Sequence, residues 1–398
     1  MTPPIDPLRL CGATCLRDGR LSRDDIAVVE GRLAEGGAGA PALDLSGYLL
    51  LPGIVDLHGD AFERHLAPRP SAPFPPAMGL AGVDRDAAAS GVTTAFLAQS
   101  WSWEGGSRGP DAAERFLAEL EAHRPAALTD LQVQLRCETH TPETEERLVA
   151  ALRRFSVRYV VFNNHLPEAL EMAEETPAAF AAWAARTQRS PEAFREVVRA
   201  HLALAPQVPR YLCNLATVFD NLGVTYGSHD DPDARTRDYF GMIGAKICEF
   251  PTRAAPALQA KVFGNPVLMG APNVVRGQSQ TGNIPALALI REGLCDALVS
   301  DYHYPALAAA AFRLSDLGVM PLAEAWAMIS TVPARLLGLK DRGRIAPGLR
   351  ADLTLVHAET RRIEGTLAAG RWSWLSGDLA GRLSRLRPQA LPTAHAAE

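Results

Sequence analysis

The order of apolar and polar positions divides the chain into a long middle and two related ends. Between residues 52 and 342, short apolar runs rich in β-branched residues alternate with stretches whose apolar positions recur every three or four residues. The first texture suits strands buried on both faces, and the second suits helices laid against them; together they predict repeated βα units around a parallel sheet. Strands are expected at 54–58, 92–98, 131–138, 159–163, 222–228, 245–250, 266–270 and 297–301. Eight such units are the number of a (β/α)8 barrel of TIM type.

The helices between the strands carry start signals. In PDAAERFLAELEAHR, Asp111 is placed to cap with Glu114 three residues on, and Ala113, Phe116, Leu117 and Leu120 form one apolar stripe. In TPETEERLVAALRRF, Thr141 is the expected cap, Pro142 takes the first helical position, and Leu148, Leu152 and Phe155 face inward. Residues 168–220 exceed one helix and are expected to form a helical excursion over one barrel face. Both ends read differently: strands and turns at 8–15, 24–30 and 43–51 return at 351–357 and 363–372, so 1–51 and 343–376 are expected to build one small sheet domain. The Arg/Pro/Ala segment 377–398 is expected to be a mobile tail.

Composition narrows the function classes. At 398 residues and 47% hydrophobic content the chain can bury a barrel-sized core. A net charge of -5 with both signs interspersed gives no basic field for nucleic acid, so anion recognition falls to a few placed arginines. The start, MTPPIDPLRL, is not a signal segment, and no window approaches the roughly 20 apolar residues of a membrane span, which predicts a cytoplasmic chain without membrane contact. Six cysteines without a CxxC pair read as reduced core thiols, with neither disulfides nor a structural zinc knuckle.

In a barrel of this kind the active site lies at the C-terminal ends of the strands. Five predicted strand ends carry residues able to bind a metal: His58 with Asp60, Glu138, His165, His229 and Asp301. One histidine at a strand end is ordinarily only hydrogen-bonded or solvated, and a lone Glu or Asp there is ordinarily a helix cap or an arginine's partner; five ends together point to a metal centre. Imidazole and carboxylate suit a divalent ion, zinc first, with manganese or iron as alternatives and one or two ions. Such an ion leaves a position for water and lowers its pKa to about 7, and Asp301 on the last strand is the candidate to take the proton. His65, His140 and His303 fall outside the pattern. The loop LMGAPNVVRGQSQTGN offers Gly270, Gly277 and Gly282 for close approach and Asn273, Arg276, Ser279 and Thr281 as donors, a possible phosphate cradle. Arg69 follows the first ligand pair, and Arg136 shares a face with Glu138; each has the plain alternative of a surface ion pair.

These residues also carry a resemblance. From LLPGIVDLHGD through PRP, SGVTT, LRCE, SHDD, EFPT, LMGAPNVVRG and SDY to DRGRIAPGLRADL, nearly the whole chain resembles the amidohydrolase superfamily, and within it the PhnM group of the carbon–phosphorus lyase pathway. The resemblance implies a metal-dependent hydrolase on a distorted (β/α)8 barrel with a small β-sandwich from both termini, often as a homodimer. Most of the superfamily has H-x-H after the first strand, whereas His58-Gly59-Asp60 matches the group's H-x-D. By position it implies Glu138 as the central carboxylate, His165 and His229 as middle-strand ligands, Asp301 as the last-strand carboxylate, and Arg69, Arg136, Asn273 and Arg276 around a phosphorylated small molecule. The implied reaction splits α-D-ribose 1-methylphosphonate 5-triphosphate into pyrophosphate and the ribosyl phosphonate 5-phosphate. Two departures stand out. The group's D-H-S-P-G-Q stretch is here Asn164-His165-Leu166-Pro167-Glu168-Ala169, and His165 and His229 fall on strands four and five where the superfamily uses five and six. A deaminase, cyclic amidase or deacetylase acting on a C–N bond, or a scaffold without activity, are the rival readings.

Overall fold

The computed structural model describes residues 7–37, 39–69, 72–280 and 282–386. Its centre is a parallel sheet of eight strands in chain order: Ile54–Gly59 (β1), Val92–Trp101 (β2), Asp130–Glu138 (β3), Tyr159–Asn163 (β4), Thr225–His229 (β5), Ile247–Glu249 (β6), Val267–Gly270 (β7) and Ala297–Val299 (β8). A parallel bridge between Gly59 and Asp301 joins the two edges and closes the barrel. The expected (β/α)8 architecture is therefore the one found.

Its distortion is visible in the strands, which run from 10 residues in β2 to 3 in β6 and β8, and in two register shifts between β1 and β2. Side chains alternate as the pleat requires. Val55, Leu57, Phe96, Tyr159, Val161, Ile247, Leu268 and Val299 fill the interior, while Leu97, Leu135, Val160, Phe162, Cys248 and Leu298 meet the surrounding helices. This double burial is why these segments read as continuous apolar runs.

The two helices with predicted stripes form as Pro110–His123 and Glu145–Phe155, and the named apolar residues of both are buried. Their predicted caps do not form. Gly109 precedes the first helix and makes no side-chain cap, because Asp111 bonds Arg147 at 2.5 Å instead. Thr141 opens a short 3-10 turn, and its hydroxyl donates to the Glu138 carbonyl at 2.8 Å, so it closes the β3 end rather than capping. Proline at the first position starts both segments without needing a donor.

After β4 comes the expected excursion, built from helices Leu166–Glu175, Pro177–Arg186, Pro191–Leu202 and Val208–Leu222, with no strand among the described residues. His165 and His229 thus remain on strands four and five. Trp103, Phe180, Trp183, Phe194 and Val198 form a separate apolar cluster that ties the first three of these helices to the loop after β2.

The ends meet in two sheets with one apolar core between them. Leu10, Val28 and Leu43 come from the four-stranded sheet, and Cys15, Leu50, Leu355 and Leu367 from the six-stranded one. Tyr48–Pro52 pairs antiparallel with Leu353–His357, so neither end completes the domain alone. The segment expected as a mobile tail starts with a helix, Gly377–Ser384; Leu379 is fully buried in the sandwich core, and its N–H donates to Glu364 at 3.2 Å. Residues 387–398 lie outside the described residues. Every cysteine is free, and no helix among the described residues is long and apolar enough to cross a membrane.

An ionic network fastens the sandwich to the barrel floor. Asp130 at the start of β3 accepts from Arg342 at 2.5 Å and Arg350 at 3.1 Å, while Arg350 also reaches Asp352 at 2.9 Å and Arg342 reaches Thr94 at 2.9 Å. Removing the shared carboxylate leaves two half-buried guanidinium groups competing for fewer acceptors. Asp130→Ala is expected to cost about 3 kcal/mol in denaturant unfolding, whereas Arg361→Ala, at an exposed pair with Asp316, should leave the midpoint unchanged.

Candidate metal centre

Barrel closure brings the first site residues together. The Asp301 N–H donates to the His58 carbonyl at 3.0 Å and the Asp60 N–H to the Asp301 carbonyl at 2.8 Å, so the H-x-D turn and the last-strand aspartate share one seam. Gly59 is required there: a Cβ would stand 2.8 Å from Ser300 Oγ and 2.9 Å from Asp56 Oδ2. Asp56 reinforces the seam from below, accepting from the Ser300 N–H at 2.8 Å and hydroxyl at 2.6 Å; burial pushes its carboxyl up to about 7 against those hydrogen bonds.

Two groups of donors result, each compact enough to hold an ion: His58, Asp60 and Asp301, with ligand atoms within 4.8 Å of one another, and His58, His229 and Glu249 on the same criterion. Burial raises the Asp301 carboxyl to about 6, with His58 pulling it down and Asp60 adding to the rise. His229 fits a ligand's description closely. It is buried, its neutral form is favoured by that burial, its Nδ1 lies 2.8 Å from Asp230 Oδ2, and its Nε2 has no hydrogen-bond partner. A buried imidazole nitrogen without a partner is rare and calls for an explanation. Donors of this kind, imidazole and carboxylate, fit a divalent ion.

Glu249, at the end of β6, was not assigned a role from sequence. It is fully buried and accepts three hydrogen bonds, from Tyr159 at 2.6 Å, Gln134 at 2.7 Å and the His58 Nδ1 at 3.0 Å. Burial works against its charge, yet His58 and these donors hold the carboxyl below its ordinary range. EFPT enters only as part of the family resemblance, and a three-residue strand gives too little alternation to tell which way the Glu249 side chain points.

Glu138 and His165 are placed otherwise than expected. They stand outside both groups and bond each other directly through His165 Nδ1, while Trp103 Nε1 donates to Glu138 at 3.1 Å and the His165 N–H at 3.2 Å. The Glu138 carboxylate is thereby fully engaged, and it ties the β3 end to the start of the helical excursion.

The seam opens into a cavity of about 760 Å³ whose walls include His58, Asp60, His229, Asp301, Arg136, Arg253 and Arg276. Arg136 and Arg276 both line this cavity. Arg253, from the loop after β6, was missed because no ligand precedes it in the expected set. Arg69 is exposed in the loop after Phe62–Leu66 and is not among the described residues lining the cavity, since proximity in sequence to Asp60 does not bend that loop inward. Asn273 reaches the wall but spends its Oδ1 on the Ala286 N–H at 2.9 Å. The glycine-rich loop is partly helical, Ala271–Arg276 ending on left-handed Gly277, and Gly270 leaves room for Asp301 Oδ2, which a Cβ would meet at 3.3 Å. Thr281 lies outside the described residues. A second cavity of about 830 Å³ on the outer flank meets this site only through Tyr302.

No protein-family model matches the chain. Over 330 residues, 81% of this chain and 86% of the relative, it is 31% identical to alpha-D-ribose 1-methylphosphonate 5-triphosphate diphosphatase of Escherichia coli (strain K12). The chain belongs to this diphosphatase family, the PhnM group of the amidohydrolase superfamily. Solved structures of similar fold include N-acetylglucosamine-6-phosphate deacetylase from Pasteurella multocida, at TM-score 0.61 and 12% identity over 92% of this chain and 99% of that one. Another is dihydropyrimidinase from Brevibacillus agri NCHU1002, at 0.60 and 12% over 93% and 95%. At such identity they speak for the fold alone.

If the two donor groups hold an ion, His229→Ala and Asp60→Asn should each weaken zinc uptake by more than about tenfold in a competition titration. Unchanged uptake in both variants would remove these groups from consideration.

Proposed function

We propose that the chain is a metal-dependent diphosphatase that releases pyrophosphate from α-D-ribose 1-methylphosphonate 5-triphosphate in phosphonate catabolism. The observation that carries this reading is the meeting of His58, Asp60 and Asp301 at the barrel seam, opening on a cavity walled by three arginines. The family relative acts on that substrate by its name. His58, Asp60, His229 and Asp301 would hold the ion, zinc by the chemistry of the donor set. Such an ion supplies Lewis acidity and makes water a better nucleophile at neutral pH.

The chain's own residues account for the rest. Arg136 from the barrel wall, with Arg253 and Arg276 from the loops after β6 and β7, offers guanidinium groups to phosphate oxygens, which they match in shape and charge. A water oxygen bonds to the α-phosphorus, the bridging oxygen leaves with pyrophosphate, and the water's proton passes to an Asp301 carboxylate oxygen. Gly270 leaves that oxygen open to the cavity floor.

One observation favours a second reading. Glu168 and Glu171, from the helix after His165, line the same cavity, and carboxylates there repel a polyphosphate. Their helix begins in the stretch that departs from the group's pattern. A C–N bond hydrolase with a less anionic substrate accommodates them, because the same site chemistry attacks carbon.

The purified protein with zinc should release pyrophosphate from the ribosyl triphosphate, and Asp301→Asn should lower kcat by at least about 100-fold while the melting curve is kept. Turnover of cyclic amides or amines without pyrophosphate release would establish the second reading, and an Asp301→Asn variant within a few-fold of the parent would remove Asp301 as proton acceptor.

A further inference from the structure

Glu249 is bonded by neither an arginine nor a lysine; among the described residues the one group able to carry positive charge at hydrogen-bonding distance from it is His58. Its surroundings come from three strands. Gln134 on β3 and Tyr159 on β4 donate to Oε1 at 2.7 and 2.6 Å, and His58 on β1 meets Oε2 at 3.0 Å, so both carboxylate oxygens are committed. Tyr159 packs edge-on against Phe96 at 6.1 Å, and Phe250 stands edge-on to His58 at 5.0 Å.

We infer that Glu249 is a positioning residue: it accepts the Nδ1–H of His58, fixes that tautomer, and leaves Nε2 as the nitrogen presented to a divalent ion. The inference rests on His58 being a ligand. A ring nitrogen that donates to a buried carboxylate fixes which nitrogen can bind metal and raises its basicity. The hydrogen bonds from Gln134 and Tyr159 aim the carboxylate in turn, so the orientation of His58 is set by side chains on β3, β4 and β6 before any ion arrives. The same three hydrogen bonds argue against Glu249 as a ligand itself, although its oxygens come within 4.8 Å of a His229 donor atom: binding an ion would cost it at least one of them.

Cobalt(II) separates these roles, because its visible absorption reports the ligand set directly. The parent and the variants Glu249→Gln, Glu249→Ala and Tyr159→Phe are each titrated with cobalt under competition, alongside a thermal melt. Glutamine keeps a carbonyl acceptor for Nδ1–H, so Glu249→Gln should retain the parent spectrum and bind within a few-fold; Glu249→Ala should keep the spectrum's shape but weaken binding about 10- to 100-fold. Tyr159→Phe should fall between. A changed spectrum in Glu249→Gln would make Glu249 a ligand and overturn the inference, as would parental affinity in Glu249→Ala. Should Glu249→Ala fail to fold, Glu249→Asp draws the carboxylate back by one methylene and takes its place with the same expectation. A parent that binds no cobalt would fail the ligand reading of His58 itself, which is a different result from a parent that binds and a variant that does not differ.

Discussion

The first and last strands of the barrel meet through a single backbone pairing, Gly59 with Asp301, and most of the site depends on it. A barrel closes only when stagger and strand tilt agree all the way round, and here the closing pair lies at the rim where the chemistry is expected. His58 and Asp60 come from one side of the seam and Asp301 from the other, so their mutual distances are set by sheet geometry rather than by loops. The seam is also where side-chain space is scarcest. Gly59 has no Cβ because Ser300 and Asp56 occupy its place, and Asp56 itself is a buried carboxyl held by Ser300 and, at 3.5 Å, by the His58 N–H. A residue with a side chain at position 59 would part the two strands and with them the donor set.

Around the same rim the backbone is held in unfavourable conformations. Asp230, Phe250 and Asp301, each just past the end of a strand, have φ of 58°, 49° and 55°. Aspartate tolerates the left-handed region, but a phenylalanine there is an outlier that the surroundings must enforce, at a cost of order 1–3 kcal/mol. The enforcement is visible: the Phe250 ring lies 5.0 Å from both His58 and His229, and its N–H is held by the Leu268 carbonyl at 2.9 Å. Turning left at this residue swings the chain away from β6 toward the arginine-bearing loop while the ring stays against both imidazoles.

The eight strands were legible because burial on both faces leaves a run that no surface helix shares, and Arg136 was legible because the alternation along β3 puts it on the face of Glu138. What depended on three-dimensional competition was not. Asp111 and Thr141 have the right type and spacing for caps, but Arg147 and the Glu138 carbonyl claim them, and only the assembled layers bring those partners near. Arg69 sits close to the ligands in sequence yet projects from a loop that nothing in the pattern directs inward. The helix starting at Gly377 was missed for a compositional reason: Leu379 is its one fully buried residue, with Leu383 packed beside it, and Arg-rich neighbours hide the signal. Glu249 was invisible for the opposite reason, lying on a strand too short to show a face.

The position of Glu249 bears on how many ions these residues can hold. Both donor groups include His58, and an imidazole whose Nδ1 is committed to a carboxylate has one nitrogen left. With His58 as a ligand through Nε2, the two groups would share that one nitrogen and describe one ion site, with His229 and the Asp60–Asp301 pair as its flanks. A second ion would have to come from Glu138 and His165, which hold each other, with Trp103 on the other carboxylate oxygen. Opening that pair costs the buried carboxylate its charged partner, so a second ion must bind strongly enough to replace it, whereas an ion at the seam meets His229 with Nε2 free and Nδ1 already on Asp230. On hydrogen bonding alone, an ion would be favoured at the seam over the Glu138–His165 pair, whose members already satisfy each other.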